Sequence, residues 1–389
     1  MATILIAIIY LAFVSMGLPD ALLGSAWPSV YESLNIPISY AGLVTILMSS
    51  GTVISTLISD RLLRRFGTGL VTVGCTLLTV IALFGFSFSS AFWHLCVWAL
   101  PYGFGGGSID AALNNYVALK YKSRHMSWIH FFWGLGATIG PYIMSSYLTG
   151  GAAWTQGYRL VGFIQAGMTL ILLLSLPMWK KTVPDEDEAS PGERPLTKVQ
   201  ALRLPGAKPL LLGFFCYCAL EGSAGLWAAS YMTLHRGVAP EIAARWASIF
   251  YLGITAGRFF NGFIADRFGD KQMVRAGQIC VLAGIALLLI PAGNWLCFAG
   301  LILIGLGDAP VYPCMLHQTP DHFGAQNSQT IMGLQMACAY IGSMITPPIF
   351  GLIADHLSIA LYPWYLLLFG LGMLLLCEHV NRLKVKKTA

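Results

Sequence analysis

The chain has 389 residues, of which 56% are hydrophobic and 10% are charged, and its formal net charge is +6. Soluble domains carry about 25% charged residues, so this composition excludes an ordinary soluble protein and favours a membrane protein. No basic domain lies outside the apolar segments, so we expect no nucleic-acid partner. The nine cysteines lie in apolar segments without CxxC spacing, and we expect neither a metal site nor a cofactor.

Apolar segments long enough to cross a bilayer, which takes about 20 residues, follow one another along the chain. Six lie near 4–30, 38–59, 69–90, 92–119, 125–149 and 157–179. Six more lie near 208–234, 240–265, 273–291, 294–317, 326–354 and 360–381. We therefore predict an all-α membrane protein with twelve transmembrane helices in two pseudo-symmetric six-helix bundles.

A polar stretch that contains several prolines separates the two sets of spans. Residues 180–208 hold eleven of the forty charged residues, and the acidic run 185–188 cannot be buried in a bilayer. We predict an N-terminal six-helix bundle over 1–180, a cytoplasmic linker over 181–207 and a C-terminal six-helix bundle over 208–389.

The positions of lysine and arginine predict the orientation in the membrane. Nineteen of the 23 lie in the C-terminal tail and in alternate loops, at 60–68, 120–124, 180–208 and 266–275. The opposite loops contain only Arg159, Arg236 and Arg245. Because basic loops stay on the cytoplasmic side, we expect both termini and the linker to be cytoplasmic.

Four carboxylates lie deep in predicted spans, and they are the first candidates for function: Asp20, Asp110, Glu221 and Asp308. A charged side chain at the bilayer centre costs roughly 2.5–3.5 kcal/mol on insertion scales, so it faces a water-filled cavity or a partner. Burial disfavours the charged form of a carboxylate, so such a group can hold a proton and release it when water reaches it. Glu221 is one candidate for this proton-coupling role.

The fourth span has the most polar face of the chain. Gly103, Gly107, Asp110 and Asn114 recur at helical spacing and share one side, where the glycines allow a neighbouring helix or a ligand to approach closely. A sugar offers hydroxyls and a ring face, which suit carboxylate and amide acceptors beside an aromatic ring. The candidate acceptors are Asp110, Asn114, Asn115, Glu221 and Asp308, and the candidate rings are Trp27, Tyr217 and Trp227.

Several of these residues also have a purely structural interpretation. Asp20 can pair with a polar group on another helix, and Asp308 can bond to backbone groups freed near Pro310 and Pro313. His130 is a weaker candidate for substrate binding, since a single histidine in a membrane helix is often an interhelical hydrogen-bond donor. For Arg258 we expect a structural pair with Asp266, which Asn261 joins. Most tryptophans are expected in the core or at the interface.

Acidic and basic residues are repeated at the ends of the second and eighth spans. Asp60 precedes Arg61, Arg64 and Arg65, and Asp266 precedes Arg267. Ion pairs at such helix ends can hold neighbouring helices together until the helices move, so we expect these six residues to have a gating role. Repeated halves of this kind are common in secondary transporters, whose sites lie at the interface of the repeats.

The second copy, Gly262-Phe-Ile-Ala-Asp-Arg-Phe-Gly269, resembles the G-x-x-x-D-R-x-G loop motif of the major facilitator superfamily. Residues 106–115, 129–141 and 217–222 resemble the fourth, fifth and seventh helices of its fucose and glucose/galactose permease branch. The resemblance implies twelve helices, alternating access and symport of sugars with a proton or another cation. It also implies a proton-coupling role for Asp20 and a sugar-binding role for Asp110.

We therefore predict a proton-coupled symporter of a monosaccharide-like solute that works by alternating access as a monomer in a bacterial inner membrane. Sodium remains open as the coupling ion, because Pro19 can break the helix beside Asp20. No G-x-x-x-x-G-K-[ST] loop occurs, which excludes an ATP-driven pump, and we do not expect an enzyme.

A transporter-like receptor and a proton-driven exporter of drugs or metabolites are the alternatives. Gly136, Gly140 and Pro141 match part of an antiporter motif, but Met144 and Ser145 replace its paired glycines.

Overall fold

The computed structural model describes residues 2–36, 40–179, 196–238 and 240–383. Within these ranges the chain folds entirely into helices and short connections. The first half contains α1 (Ala2–Asp20), α2 (Leu22–Ser33), α3 (Tyr40–Ser87), α4 (Phe92–Lys120), α5 (Ser123–Thr149) and α6 (Trp154–Leu174). The second half contains α7 (Lys198–Ala201), α8 (Ala207–Leu234), α9 (Pro240–Phe268), α10 (Asp270–Leu289), α11 (Asn294–His317), α12 (Thr319–Phe323), α13 (Ala325–His356) and α14 (Tyr362–Arg382). Short 3₁₀ turns cover Leu176–Met178 and Ile359–Leu361.

Within the described residues, eight segments are long and apolar enough to cross a membrane. They are Ile4–Trp27, Tyr40–Ser87, Trp154–Leu174, Ala207–Leu234, Asp270–Leu289, Asn294–His317, Ala325–His356 and Ile359–Arg382. The helices α4, α5 and α9 are long enough, but they are rich in glycine, aromatic and polar residues, which lowers their mean hydropathy. The helix that carries Asp110, α4, is therefore one of three long helices that are not apolar enough to count among these eight segments.

The first span is interrupted beside a predicted site residue. Pro19 lies inside α1, which ends at Asp20, and α2 begins at Leu22. Proline lacks an N–H group and its ring crowds the preceding turn, so it favours a helix break at this place. Asp20 consequently lies at a helix end rather than in the middle of a straight helix.

The second and third predicted spans form one helix, α3, with a single non-helical residue. Gly67 has φ 76° and ψ 160°, and Gly269, between α9 and α10, has φ 79° and ψ 154°. A positive φ of this kind favours glycine, which has no Cβ. The two glycines follow the two copies of the acidic–basic repeat, so both copies end in the same backbone conformation.

The chain divides into two compact units. The first unit comprises Met1–Leu119 and Trp128–Arg194, and the second comprises Lys120–Ser127 and Pro195–Ala389. Residues 120–127, from the last residue of α4 to the first residues of α5, thus belong to the second unit. Residues 180–195 of the predicted linker lie outside the described residues; its remaining part includes α7 and leads into α8 at Ala207.

Each unit has its own apolar core. In the first unit, the fully buried Leu22, Phe86 and Tyr158 belong to a cluster that also contains Trp27. In the second unit, the corresponding cluster is built around the buried Phe250, Tyr362 and Leu366. Close-packed side chains of this kind hold the helices in fixed positions. The polar residues described below are therefore placed by rigid neighbours.

Glycines bring α4 directly against α3 in the first unit. A methyl group added to Gly103 would overlap the carbonyl oxygen of Met48, and one added to Gly107 would lie 2.7 Å from the carbonyl oxygen of Thr52. Gly106, on another side of α4, has no such neighbour within 4 Å. Gly103 and Gly107 are predicted to allow the close approach of either a helix or a ligand. In the structure the close neighbour is the helix α3, so both glycines serve helix packing.

We predict that Gly103→Ala destabilises the protein, because its new methyl group would push α3 and α4 apart. Overpacking of this kind typically costs about 1–3 kcal/mol, so the midpoint of thermal unfolding in detergent should fall. Gly106→Ala is the matched control and should leave the midpoint unchanged or slightly raised. Equal midpoints for the two variants would contradict the packing described here.

Candidate functional site

The Asp20 carboxylate joins three helices of the first unit. The Tyr102 hydroxyl on α4 donates a hydrogen bond to Oδ1 at 2.6 Å, and Nε1 of Trp133 on α5 donates one to Oδ2 at 2.8 Å. The helices α1 and α5 approach closely at Gly17 and Gly136, where each glycine lies against the other helix's backbone. Asp20 nevertheless remains exposed. Its carboxylate is thus held by two neutral donors and stays accessible.

A second polar group in the first unit connects α4 and α5. Nδ2 of Asn114 donates hydrogen bonds to Oδ1 of Asp110 at 2.8 Å and to the Asp110 carbonyl oxygen at 2.9 Å. Nε2 of His130 lies 3.0 Å from Oδ1 of Asn114. Because this Asn114 oxygen only accepts, the His130 nitrogen facing it must carry a hydrogen. His130 therefore makes an interhelical hydrogen bond, as its purely structural interpretation predicts.

The structure places the other first-unit candidates in packed surroundings. Asn115 is buried next to Asn114 on α4, and Trp27 packs in the apolar cluster of the first unit with Leu22 and Val30. A ring covered by apolar neighbours stabilises the core. The substrate-binding roles of Asn115 and Trp27 remain predictions.

In the second unit, Arg258 on α9 pairs with Glu221 on α8. Their side chains are 7% and 25% exposed, and the distance from Arg258 NH2 to Glu221 Oε1 is 3.6 Å. The predicted pair with Asp266 was wrong, since Asp266 accepts from the backbone N–H of Arg124 at 3.2 Å and lies 3.4 Å from its Nε. Arg258 is buried among apolar helices, where a nearby carboxylate on a neighbouring helix is a closer partner than one two turns along the same helix. 

Asn261 does not join an Arg258–Asp266 pair either. Its Nδ2 donates a hydrogen bond to the hydroxyl of Ser127, near the start of α5. The amide oxygen Oδ1 has no hydrogen-bond partner among the described residues. Asn261 therefore ties the start of α5 to α9.

Asp308, on α11, is completely buried. Neither of its carboxylate oxygens has a hydrogen-bond partner within the described parts of the chain. The predicted structural alternative, a hydrogen bond to backbone freed near Pro310 and Pro313, is therefore wrong. Among the described residues, Glu221 and Arg258 are the charged groups that act on this carboxylate. Ionisable side chains from α8, α9 and α11 thus interact electrostatically; Arg258 and Asp308 are buried, and Glu221 is partly exposed.

The two aromatic candidates of the second unit are held by their neighbours. Tyr217 is fully buried, and its ring centre lies 6.3 Å from that of Phe214 and 5.8 Å from that of Tyr312. Nε1 of Trp227 donates to the carbonyl oxygen of Pro347 at 2.9 Å. These contacts fix both rings. Their predicted substrate-binding roles remain untested.

The residues of the acidic–basic repeat make local contacts at the helix ends. Asp60 Oδ2 lies 3.9 Å from Arg64 NH2, one helical turn away, and Arg61 is exposed. The Arg65 guanidinium lies 5.4 Å from the centre of the Phe66 ring. Its counterpart Arg267 lies 5.8 Å from the centre of the Phe268 ring. The two Arg-Phe-Gly sequences thus repeat the same contact, and their gating role remains a prediction.

The structure also shows a polar cluster that the sequence analysis missed. The Ser123 hydroxyl donates to Oδ1 of Asp270, whose Oδ2 lies 2.6 Å from Nδ1 of His317. Nε2 of His317 lies 3.0 Å from the carbonyl oxygen of Tyr121. Both ring nitrogens of His317 face acceptors, so both must carry hydrogen. These partners are far apart in the sequence, and no local pattern indicates that they meet.

The sequence matches the profile of the Major Facilitator Superfamily over residues 9–239 and 210–380. The chain belongs to the Major Facilitator Superfamily. Its curated relatives include an uncharacterized transporter of this type from Yersinia pestis, which is 26% identical over 67% of the chain. The matched stretch spans 66% of that protein's length.

Two further relatives carry different functional names. The class B tetracycline resistance protein of Escherichia coli is 24% identical, with 81% of this chain and 77% of that protein covered. The glucose/mannose transporter GlcP of Bacillus subtilis is 21% identical, with coverage of 79% and 77%. Membership of the superfamily therefore leaves the transported compound and the direction of transport undecided.

The fold is similar to that of solved sugar symporters of the superfamily. The E. coli fucose:proton symporter FucP superposes with a TM-score of 0.82 at 14% identity, with 97% of this chain and 98% of that chain covered. The proton:xylose symporter XylE gives a TM-score of 0.76 at 13% identity, with coverage of 96% and 94%. The superfamily match and these superpositions confirm the predicted all-α, twelve-helix, two-domain fold of a multi-pass membrane protein; the orientation of the termini stays a prediction.

We predict that the Arg258–Glu221 pair shows strong energetic coupling. Arg258→Met leaves the partly buried carboxylate of Glu221 without its partner. Breaking a buried pair in this way typically costs about 3–5 kcal/mol, and the partial exposure of Glu221 favours the lower end, whereas removing both charges is far less damaging. The midpoint of thermal unfolding should therefore fall in Arg258→Met and recover partly in Arg258→Met/Glu221→Gln. Arg275 on α10 pairs with Glu378 on α14, and this arginine is 46% exposed. The same set of single and double substitutions at that pair is the control. Additive effects at Arg258 and Glu221 would contradict this prediction.

Proposed function

We propose that this chain is a proton-coupled symporter of a monosaccharide-like solute that works by alternating access. The observation that carries the proposal is the buried hydrogen-bonded series Asp110–Asn114–His130, which joins α4 and α5 in the first unit. A buried polar series of this kind is expensive to place in a membrane, so such residues usually mark a substrate or ion pathway.

The chemistry of this series suits a sugar. Hydroxyl groups donate as well as accept hydrogen bonds, and a carboxylate offers about four acceptor positions. Asn114 occupies one oxygen of Asp110 through its side chain. A sugar hydroxyl approaching Asp110 would gain a charge-assisted hydrogen bond, which is stronger than one between neutral groups. We assign solute binding to Asp110, Asn114 and His130, with Asn115 beside them.

Relatives that are named as sugar transporters support this assignment. FucP and XylE, whose folds are similar to this one, are named as proton symporters of fucose and xylose. GlcP, a sequence relative, is named as a glucose/mannose transporter. We further propose that the chain is a monomer in a bacterial inner membrane, with cytoplasmic termini and linker, and that Asp20 and Glu221 take part in proton coupling.

A proton-driven exporter of drugs or metabolites is the second candidate function. It is favoured by the relationship to the class B tetracycline resistance protein. Gly136 and Gly140 of the partial antiporter motif lie against the α1 backbone at Val14 and Leu18. Glycines in such contacts are explained by helix packing, whichever way the solute moves. The direction of the proton flux therefore distinguishes the two functions.

We expect sealed vesicles containing the purified protein to alkalinise the external medium when one member of a panel of monosaccharides is added outside. Asp110→Asn should lower the apparent affinity for that sugar roughly 10- to 100-fold, because a charged hydrogen bond contributes about 1.5–3 kcal/mol. Asp355, exposed near the end of α13, supplies the matched control Asp355→Asn, which should behave like the wild type.

The measurement uses a pH electrode together with radiolabelled sugar uptake. Proton release driven by an apolar drug, with no response to any sugar, would contradict symport and support export. Sugar uptake without any pH change would contradict the proton as the coupling ion, and a sodium requirement would then identify the alternative.

A further inference from the structure

Polar contacts hold the segment 120–127, which ends α4 and begins α5, against helices of the second unit. In this segment Arg124 pairs with Asp266 on α9. Further contacts converge on His317, the last residue of α11, whose ring lies between the segment and the start of α10. All of these residues belong to the second unit. The segment is therefore attached to three helices of that unit.

The ring of His317 connects two acceptors, and we call this arrangement the His317 bridge. Its Nδ1 lies 2.6 Å from Oδ2 of Asp270 on α10, and its Nε2 lies 3.0 Å from the carbonyl oxygen of Tyr121 in the segment. Both contacts are hydrogen bonds only while both ring nitrogens carry hydrogen, that is, in the charged imidazolium. A neutral ring has a single N–H, so it would either lose Tyr121 or turn a lone pair toward the Asp270 carboxylate. Loss of one proton therefore breaks the bridge.

The proton of this bridge belongs to His317 rather than to Asp270. Asp270 is the first residue of α10, where the helix dipole favours a negative charge, and its carboxylate also accepts from the hydroxyl of Ser123. The side chains of His317 and Asp270 are 17% and 12% exposed, so solvent screens their attraction weakly. Histidine is the side chain that ordinarily changes its charge between about pH 5 and 8. The bridge therefore responds to pH near neutrality.

Two further titratable groups act on the His317 ring. Asp321 on α12 attracts its positive charge, and a charge on His125 at the start of α5 would repel it. Nε2 of His125 accepts a hydrogen bond from Nε of Arg124 at 3.4 Å, so this nitrogen carries no hydrogen and the His125 ring is neutral in the structure. The surroundings of His317 thus favour its charged form, and Asp270 is the acid that touches its ring.

We propose that the His317 bridge is a pH-dependent switch, which holds the segment 120–127 on α10 in acid and releases it as the pH rises. Its effect on transport rests on the proposed symport function. Alternating access requires the two halves of the protein to move relative to each other. The segment joins α4 to α5 of the first half, so its attachment to α10 and α11 opposes such a movement. Acid therefore slows the transport cycle, and His317 does not carry the coupled proton.

The switch would make uptake depend on the acidity that uptake itself produces. The segment belongs to the basic loops that we predict to be cytoplasmic, and a proton symporter releases its protons on that side during import. When these protons accumulate, one of them binds the neutral His317 ring, the bridge forms and further uptake slows. When the cytoplasm becomes alkaline again, the proton leaves to water and the segment is released. The device thus limits acid loading of the cell.

The first test needs no sugar, because a buried thiol beside the segment reports its release. Cys314 is fully buried, and its sulfur lies 3.9 Å from the Ser123 hydroxyl and 3.8 Å from Nδ2 of Asn261. Release of the segment should expose this sulfur to N-ethylmaleimide, and mass spectrometry follows the reaction at Cys314. At about pH 6, labelling should be roughly 10- to 100-fold faster in His317→Gln than in the wild type, because charged hydrogen bonds are lost. At about pH 8 the two rates should converge.

Two substitutions and the wild type itself serve as controls. His379→Gln makes the same chemical change at an exposed position in the last turn of α14 and should label like the wild type. Asp270→Asn removes the acceptor of the bridge and should label like His317→Gln. In the wild type, the Cys314 rate divided by that of the unfolded protein at the same pH should rise between about pH 6 and 8. A ratio that does not rise, or equal rates for wild type and His317→Gln at about pH 6, would overturn the proposal.

The second test measures transport in vesicles with the same pH on both sides. Exchange of internal for external sugar should be several-fold faster in His317→Gln than in the wild type at about pH 6, and equally fast at about pH 8. The variant should also keep sugar accumulation driven by a pH gradient, since the switch does not carry the coupled proton. Exchange that is retained while accumulation is lost would make His317 a proton carrier and overturn the proposal.

The two proposals fail in different ways. If the wild type neither exchanges nor accumulates any sugar of the panel, the proposed symport function fails, while the labelling of Cys314 still decides whether the segment is released as the pH rises. If sugar is accumulated with a proton but the labelling does not depend on His317, the symport function stands and the switch fails.

Discussion

The ion pair between Arg258 and Glu221 is the interaction on which the polar interior of the second unit depends. The guanidinium lies 3.6 Å from the carboxylate, and only 7% of the Arg258 side chain is exposed. A buried arginine cannot lose its proton under ordinary conditions, so it needs a carboxylate nearby. The pair thus holds α8 and α9 together inside the second unit.

The first unit holds its carboxylates in a different way. Asp20 accepts from a tyrosine hydroxyl and an indole N–H, and Asp110 accepts from the Asn114 amide. Neutral donors stabilise an ionised carboxylate without cancelling its charge. Such a carboxylate remains an attractive acceptor for the hydroxyls of a solute. At Asp110, such a neutral donor thus suits a site that binds a polar solute.

Much of the fold follows from local patterns in the sequence. Runs of apolar residues predict the spans, and the repeat around Asp60 and Asp266 indicates two related halves. The break after Asp20 follows from Pro19. The bundle is all-α because hydrocarbon leaves backbone groups no partners outside the helix. The superfamily is recognisable from the loop motif at 262–269.

The partners of the polar residues depend on contacts between distant parts of the chain, which local patterns do not contain. The pairing of Arg258 with Asp266 looks reasonable along one helix, yet Glu221 on another helix is the partner. Tyr102 attracts no attention as a donor until α4 is placed against α1. Likewise, Gly103 and Asp110 share a helix, but only the structure shows that the glycine serves packing against α3.

The central claim is that carboxylates buried among apolar helices couple the movement of a polar solute to that of a proton. Electrical recording from protein-containing membranes on a solid support tests this claim most directly. A sugar concentration jump at equal pH on both sides should produce a transient current in the direction of positive charge moving with the sugar. A sugar that is transported without any such current would contradict the account.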